Sequence, residues 1–213
     1  MNHSAQYWQR ETLRYDRPHP RLVITAQMLR SLPQRRVLDV GCSTAMLSRV
    51  LPRDFEYYGC DVTDHASALL PPQHFKQVDL NASADLTAFD NRQIELVHVG
   101  GVLEYLRRPD ELLASARRLV GSGGRLLTTI INFQSAGYQD SSKHHPAWVY
   151  KPTLAELRRA MTAAGWKVTS QRPFFAKSGI RGRVAEVIAT SLGPNHPWTQ
   201  RRAEQFILLA QAC

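Results

Sequence analysis

Arg36-Val37-Leu38-Asp39-Val40-Gly41-Cys42-Ser43-Thr44-Ala45 is a short apolar strand that ends in an acid and runs into a turn of small residues. Apolar runs of this length, bounded by small residues, read as buried strands. The pattern that follows predicts a helix over 44–52. Such a turn lets a ligand approach the backbone at the amide-rich start of a helix. About 20 residues further on, Phe55-Glu56-Tyr57-Tyr58-Gly59-Cys60 forms a second apolar run that ends in Asp61. A carboxylate in that position commonly holds ribose hydroxyls. The pair predicts a nucleoside-containing ligand on an α/β sheet.

Outward from this pair the chain alternates strand and helix. Strands are predicted at 36–40, 56–61, 74–79, 94–99, 125–131, 166–173 and 205–212, and helices at 44–52, 64–70, 109–120 and 153–164. A helical cap over 1–34 precedes them. Alternation of this kind favours a parallel sheet covered on both faces. Pro109-Asp110-Glu111 opens one helix with proline and acids in its first turn. Thr153, three residues before Glu156, opens another with a capping box, and Gly165 stops it. Two segments break the alternation and are expected beside the substrate. Residues 132–152 lack periodicity and hold Tyr138, His144, His145, Trp148 and Tyr150, while 174–204 carry a helical stretch from Arg183 to Leu192.

The length of 213 residues suits one domain, expected over 1–213, and a hydrophobic share of 43% is enough to fill its core. No apolar run approaches the ~20 residues needed to cross a bilayer. The first residues, Met1 to Trp8, lack the apolar centre of a secretory signal. Cys42, Cys60 and Cys213 have no disulfide or zinc spacing, so no metal is expected and the reading is cytoplasmic. The net charge of +9 is uneven. Residues 37–170 balance 14 basic against 14 acidic groups, whereas 1–36 carry 7 against 2 and 171–213 carry 6 against 2. Basic ends of this kind draw in an anionic acceptor, with Arg14, Arg17, Arg181 and Arg183 as the leading charges, or simply keep the surface soluble.

The nucleoside can be narrowed. A dinucleotide fingerprint needs glycines at turn positions held here by Gly41, Ser43 and Met46, and Met46 would block the close helix contact. The spacing fits an acidic-x-Gly-x-Gly-x-Gly turn, read as Asp39, Gly41, Ser43 and Ala45. Further on, Phe75-Lys76-Gln77-Val78-Asp79-Leu80-Asn81, then Ile94 to Leu106 with Val102-Leu103-Glu104-Tyr105-Leu106, then Gly123-Gly124-Arg125-Leu126-Leu127 follow in order. With these segments the chain resembles the class I S-adenosylmethionine-dependent methyltransferases. It looks closest to the small-molecule branch that includes the quinone-biosynthesis O-methyltransferases.

The resemblance implies a Rossmann-like three-layer α/β sandwich. Its seven-stranded sheet is mostly parallel with an antiparallel last strand, and strand six is also expected to run against the rest. The implied cofactor is S-adenosyl-L-methionine, bound by Asp39, Gly41, Cys42, Ser43, Asp61, Val62, Asp79, Leu80, Val99 and Gly100. Ser43 and Ala45 depart from the glycine pattern, and a positive φ at either costs about 1 kcal/mol.

Methyl transfer from a sulfonium needs alignment and a dry site more than covalent help. A hydroxyl acceptor gains from a base, and His144 and His145 are the candidates. His98, inside strand four, reads as a core histidine; Glu104 and Tyr105 read equally as site wall or as packing. The expected function is methylation of a small molecule, most readily at oxygen of a metabolite, lipid precursor or sugar. A nucleic-acid (RNA) methyltransferase is the alternative that a pI near 9.9 raises. Against it stand the lack of an Asn/Asp-Pro-Pro-aromatic segment, of a Pro-Cys nucleophile and of an RNA-binding module. A non-catalytic binding or scaffold protein is the third reading, on the strength of Ser43 and Ala45.

Overall fold

Strands buried on both faces read as unbroken apolar runs, and that is how β1 (Arg36–Val40) and β4 (Leu96–Gly100) are built, each buried at four of five positions. A computed structural model describes residues 7–8, 18–138, 140, 144–175 and 180–213; of 180–183, 186 and 190 it describes the backbone alone. The remaining strands are β2 (Glu56–Asp61), β3 (Phe75–Gln77), β5 (Arg125–Ile131), β6 (Trp166–Phe174) and β7 (Gln205–Ala212). They form one seven-stranded sheet in the order β3-β2-β1-β4-β5-β7-β6. The chain leaves β1 toward one edge and returns at β4 toward the other, which opens a crevice at the carboxyl ends of those two strands.

β7 alone is reversed. It pairs antiparallel with β5 and with β6, so β6 points the same way as β1 to β5. The expectation that strand six also runs against the rest is therefore corrected.

Alternate side chains send an apolar layer to each face. Leu38, Val97 and Leu126 meet Leu112 and Leu113 of α2 (Pro109–Val120) and Leu157 and Met161 of α3 (Leu154–Ala163). On the other face Val37, Leu96, Leu127 and Ile207 meet Ala26 and Leu29 of α1 (Pro20–Arg30). α3 has the predicted capping box, with the Thr153 hydroxyl accepting from the Glu156 N–H at 3.2 Å and the Glu156 carboxylate accepting from the Thr153 N–H at 2.8 Å. Trp166, fully buried at the start of β6, donates its indole N–H to Leu113 O at 2.9 Å and so fastens the edge strand to α2.

The helices predicted at 44–52 and 64–70 do not form. Ser43 and Ala45 take left-handed φ of 48° and 53°, which an α-helix cannot propagate. The following residues close tighter turns instead, Ser48 N–H on Ala45 O at 3.1 Å and Val50 N–H on Leu47 O at 3.1 Å. After β2, the bonds of Ser67 to Asp64 O and Leu69 to Ala66 O have the same spacing, and Pro71-Pro72 holds Leu70 away from helical geometry. β3 is also shorter than predicted, which leaves Asp79 in a loop.

The segment 132–152 is tied at both ends. Asn132 donates its side-chain amide to Gln200 O and Ala203 O at 2.6 and 2.8 Å, and the Val149 and Tyr150 N–H groups bond Glu104 O at 2.8 and 3.0 Å. Gln200 belongs to α5 (Pro197–Arg202), which follows α4 (Ile180–Leu192) on the way from β6 to β7. No helix among the described residues is long and apolar enough to cross a membrane.

Trp166→Phe removes the indole bond and part of a fully buried ring. It should lower the unfolding free energy by about 2 kcal/mol, read as a lower urea midpoint at unchanged m.

Candidate functional site

Where β1, β2 and β4 end, the small-residue turn leaves a cavity of about 410 Å³. Gly41 has φ 74°, and a Cβ there would stand 2.2 Å from a Val102 methyl, so only glycine fits. Asp61 braces the turn next to it. Its Oδ2 accepts the Ser43 N–H at 2.8 Å, and its Oδ1 accepts both the N–H and the hydroxyl of Thr63 at 2.9 Å. A carboxylate accepts about four such bonds, so Asp61 keeps acceptor capacity on Oδ2 for a ligand. Asp79 caps its own turn through the Asn81 N–H at 2.9 Å, and Asn81 in turn reaches Tyr105 O at 2.9 Å. With Val62, Val78 and Leu80 these residues make one end of the cavity, two carboxylates set in an apolar slot. That chemistry suits a base and a hydroxyl-bearing sugar.

Asp39 forms the floor. It is 4% exposed, and both of its oxygens are engaged, Oδ2 by the Tyr57 hydroxyl at 2.6 Å and Oδ1 by His98 Nδ1 at 2.7 Å. Burial, and after it the Asp39 charge, pushes the Tyr57 phenol well above its usual range, so Tyr57 stays a donor. Burial likewise pushes the Cys42 and Cys60 thiols up, which leaves them packing groups and not nucleophiles. His98 is no plain core residue, because it lines the cavity.

The same cavity also has an aromatic wall and a second buried acid. Trp8 meets Tyr105 edge-on at 5.0 Å and Tyr138 meets Trp148 at 5.9 Å, and all four line the cavity. Glu104, 1% exposed, accepts the Ile131 N–H on Oε1 at 2.8 Å, while its Oε2 meets no partner among the described residues. Burial raises its carboxyl above the ordinary value, against the pull of backbone N–H groups and of Arg21. Arg21 donates to Gln205 Oε1 at 3.2 Å and to Gly100 O at 3.4 Å.

Of the residues expected around the cofactor, Asp39, Gly41, Cys42, Ser43, Asp61, Val62, Asp79, Leu80 and Gly100 line one cavity. Val99 does not; it is fully buried in the core. His144 and His145 stand behind the aromatic wall. His144 Nε2 lies 2.7 Å from Tyr138 O, and His145 lies 2.9 Å from the Tyr7 hydroxyl with its ring stacked on Trp8 at 6.1 Å. Arg21, Gln205 and Trp8 come from distant parts of the chain, and no local signal marks them. Glu104 had one, as the acid inside the apolar run Val102 to Leu106. Arg14 and Arg17 lie outside the described residues, as do the side chains of Arg181 and Arg183. No group of three metal-binding side chains occurs among the described residues.

A family model described as a methyltransferase domain matches residues 7–171. No curated protein matches significantly. Among solved structures, the complex between the Haloferax volcanii Trm112 methyltransferase activator and its methyltransferase is similar at 18% identity and a TM-score of 0.66, covering 89% of each chain. An S-adenosylmethionine-dependent methyltransferase from Archaeoglobus fulgidus is similar at 15% identity and 0.63, covering 90% of this chain and 94% of that one. The [4+2]-cyclase SpnF is similar at 20% and 0.62, covering 90% and 80%. At these identities the three share the fold.

Two outcomes follow from the geometry. Asp61→Ala removes both the brace of the turn and the free acceptor, and should weaken S-adenosylhomocysteine binding about tenfold or more, as read by calorimetry. The Glu104 carboxyl binds its proton more tightly folded than unfolded, so its contribution to stability is full below the ordinary value of 4.5 and is lost as pH rises through the folded value. Glu104→Gln should flatten that part of a stability-against-pH curve measured by urea unfolding.

Proposed function

Because the chain belongs to the methyltransferase-domain family, whose cofactor is S-adenosylmethionine, we propose that it methylates a small molecule at oxygen. The observation that carries this reading is the lining of the cavity. One space of about 410 Å³ is bordered by Asp61 and Asp79 and also by Glu104 and four aromatic rings, which suits a nucleoside and a compact acceptor together. When bound, S-adenosylmethionine supplies an activated methyl group; every other requirement falls on the chain.

The residues present fit that division of labour. Asp61 and Asp79 receive hydroxyl and amino donors, and the glycine at 41 keeps the turn open. Trp8, Tyr105, Tyr138 and Trp148 exclude water and give a flat acceptor two walls. Glu104 is the base of this reading. It is buried, it keeps one oxygen without a partner, and its raised affinity for a proton lets it take one from a hydroxyl as the oxygen is methylated. His144 and His145 hold the aromatic wall from behind.

Ser43 and Ala45 do not argue for a decayed site, since both adopt the left-handed backbone of the turn and Asp61 holds the first in place. A cavity of this size also suits a metabolite better than a nucleic-acid strand.

Calorimetry should show binding of S-adenosylmethionine and its demethylated product in preference to NAD; indifference to both would end the reading. Methyl-labelled cofactor incubated with fractionated extract should then label a low-molecular-weight acceptor and leave RNA unlabelled. With that acceptor, Glu104→Gln should lower kcat about 100-fold while cofactor affinity stays within about twofold.

A further inference from the structure

We propose that His98 is a ligand-binding residue, whose imidazole accepts a hydrogen bond from the ammonium group at the amino-acid end of S-adenosylmethionine. The inference rests on reading the cavity as a site for that cofactor. It begins from an unsettled account of hydrogen bonds. His98 is 2% exposed, yet its Nε2 meets no partner among the described residues. A buried polar atom left so calls for an explanation. The bond to Asp39 accounts for Nδ1 and leaves Nε2 unexplained. His98 lines the cavity.

The partners of the ring decide what Nε2 offers. Asp39 Oδ2 is occupied by the Tyr57 hydroxyl, and Oδ1 lies 2.7 Å from His98 Nδ1. An ionised carboxylate only accepts, so this network puts the proton on Nδ1. In the neutral imidazole Nε2 then carries a bare lone pair, and the Asp39 charge behind it strengthens the lone pair as an acceptor. Asp39 itself cannot reach a ligand; His98 extends its influence by the width of a ring.

Gly100 gives that ring its room. It follows His98 by two residues on the same face of β4, and a Cβ at this position would stand 2.4 Å from Cε1 and 2.7 Å from Nε2. Any other residue at 100 would displace the imidazole or cover it.

The charge around the ring selects the ligand group. Arg21 lies over the next glycine, its Nη1 2.9 Å from where a Cβ at Gly101 would be. A guanidinium beside a lone-pair acceptor matches an α-amino acid, carboxylate toward Arg21 and ammonium toward His98. The other end of the cavity, with Asp61 and Asp79, has the wrong sign for a carboxylate. The titratable and charged groups facing His98 are Asp39 on β1 and Tyr57 on β2, with Arg21 of α1 and Glu104 further along the wall.

The test compares two probes on the whole chain by calorimetry. S-adenosylhomocysteine carries the amino-acid end, and 5′-methylthioadenosine lacks it. His98→Asn keeps a donor for Asp39 and deletes Nε2. It should weaken S-adenosylhomocysteine about tenfold and leave methylthioadenosine unchanged. On the unmodified protein, the nitrogen NMR resonance of His98 Nε2 should move when the first probe is added and stay in place with the second. This measurement stands even if the variant does not fold. Equal loss of both probes in a folded variant, or no loss of either, overturns the inference alone. So does a His98 resonance that S-adenosylhomocysteine leaves in place. If the unmodified chain binds neither probe, the cofactor reading falls and takes this inference with it.

Discussion

A carboxylate in a protein interior keeps its charge only where donors replace the water it has lost. Asp39 finds two, a phenol from β2 and an imidazole from β4, while its own backbone pairs with both strands. Three neighbouring strands are thereby joined by side chains at the level where they end, just under the cavity. The network is shut away from solvent, and the removal of any one member would strand the others in a medium of low dielectric. The floor of the site is rigid for that reason. The open turn above it, with its left-handed residues, can be held by a single further carboxylate, Asp61, because nothing beneath it moves.

The strands were readable from the sequence because burial on two faces writes itself as an unbroken apolar run, as in Val37 to Val40 and Leu96 to Val99. α2 and α3 were readable because proline, acids and a capping box announce their starts. The turns after β1 and β2 were not. Their composition is that of a helix, and the left-handed Ser43 gives its N–H to Asp61, a residue 18 positions away, while Ala45 bonds back to Cys42 O. The pairing of His98 with Asp39 was hidden for a similar reason. A histidine within apolar neighbours looks like packing until the register places it opposite Asp39.

The aromatic part of the cavity was harder still, since it is assembled from five remote segments. Trp8 comes from near the amino terminus, Arg21 from α1, Glu104 from the turn after β4, Tyr138 and Trp148 from the aperiodic loop, and Gln205 from the start of β7. Linear spacing carries no trace of that convergence. Glu104 shows how tightly the parts are joined. Its carbonyl anchors Val149 and Tyr150 while its carboxyl lies in the cavity wall and holds the Ile131 N–H. One residue therefore fixes both the loop that closes the aromatic end and the exit of β5. Changes in the loop would be felt by the carboxyl without touching it.

The reversed strand has a consequence for how the molecule comes into being. β7 is last of the seven in sequence but sits between β5 and β6. A chain emerging from the ribosome can join β1 to β5 in order of appearance, yet β6 has no neighbour to pair with until β7 follows it out. Throughout that interval the outer edge of β5, buried later, is open to any passing strand, and such edges are where nascent chains adhere to one another. Completion of the sheet thus waits for β7, and that edge stays open until β7 is in place.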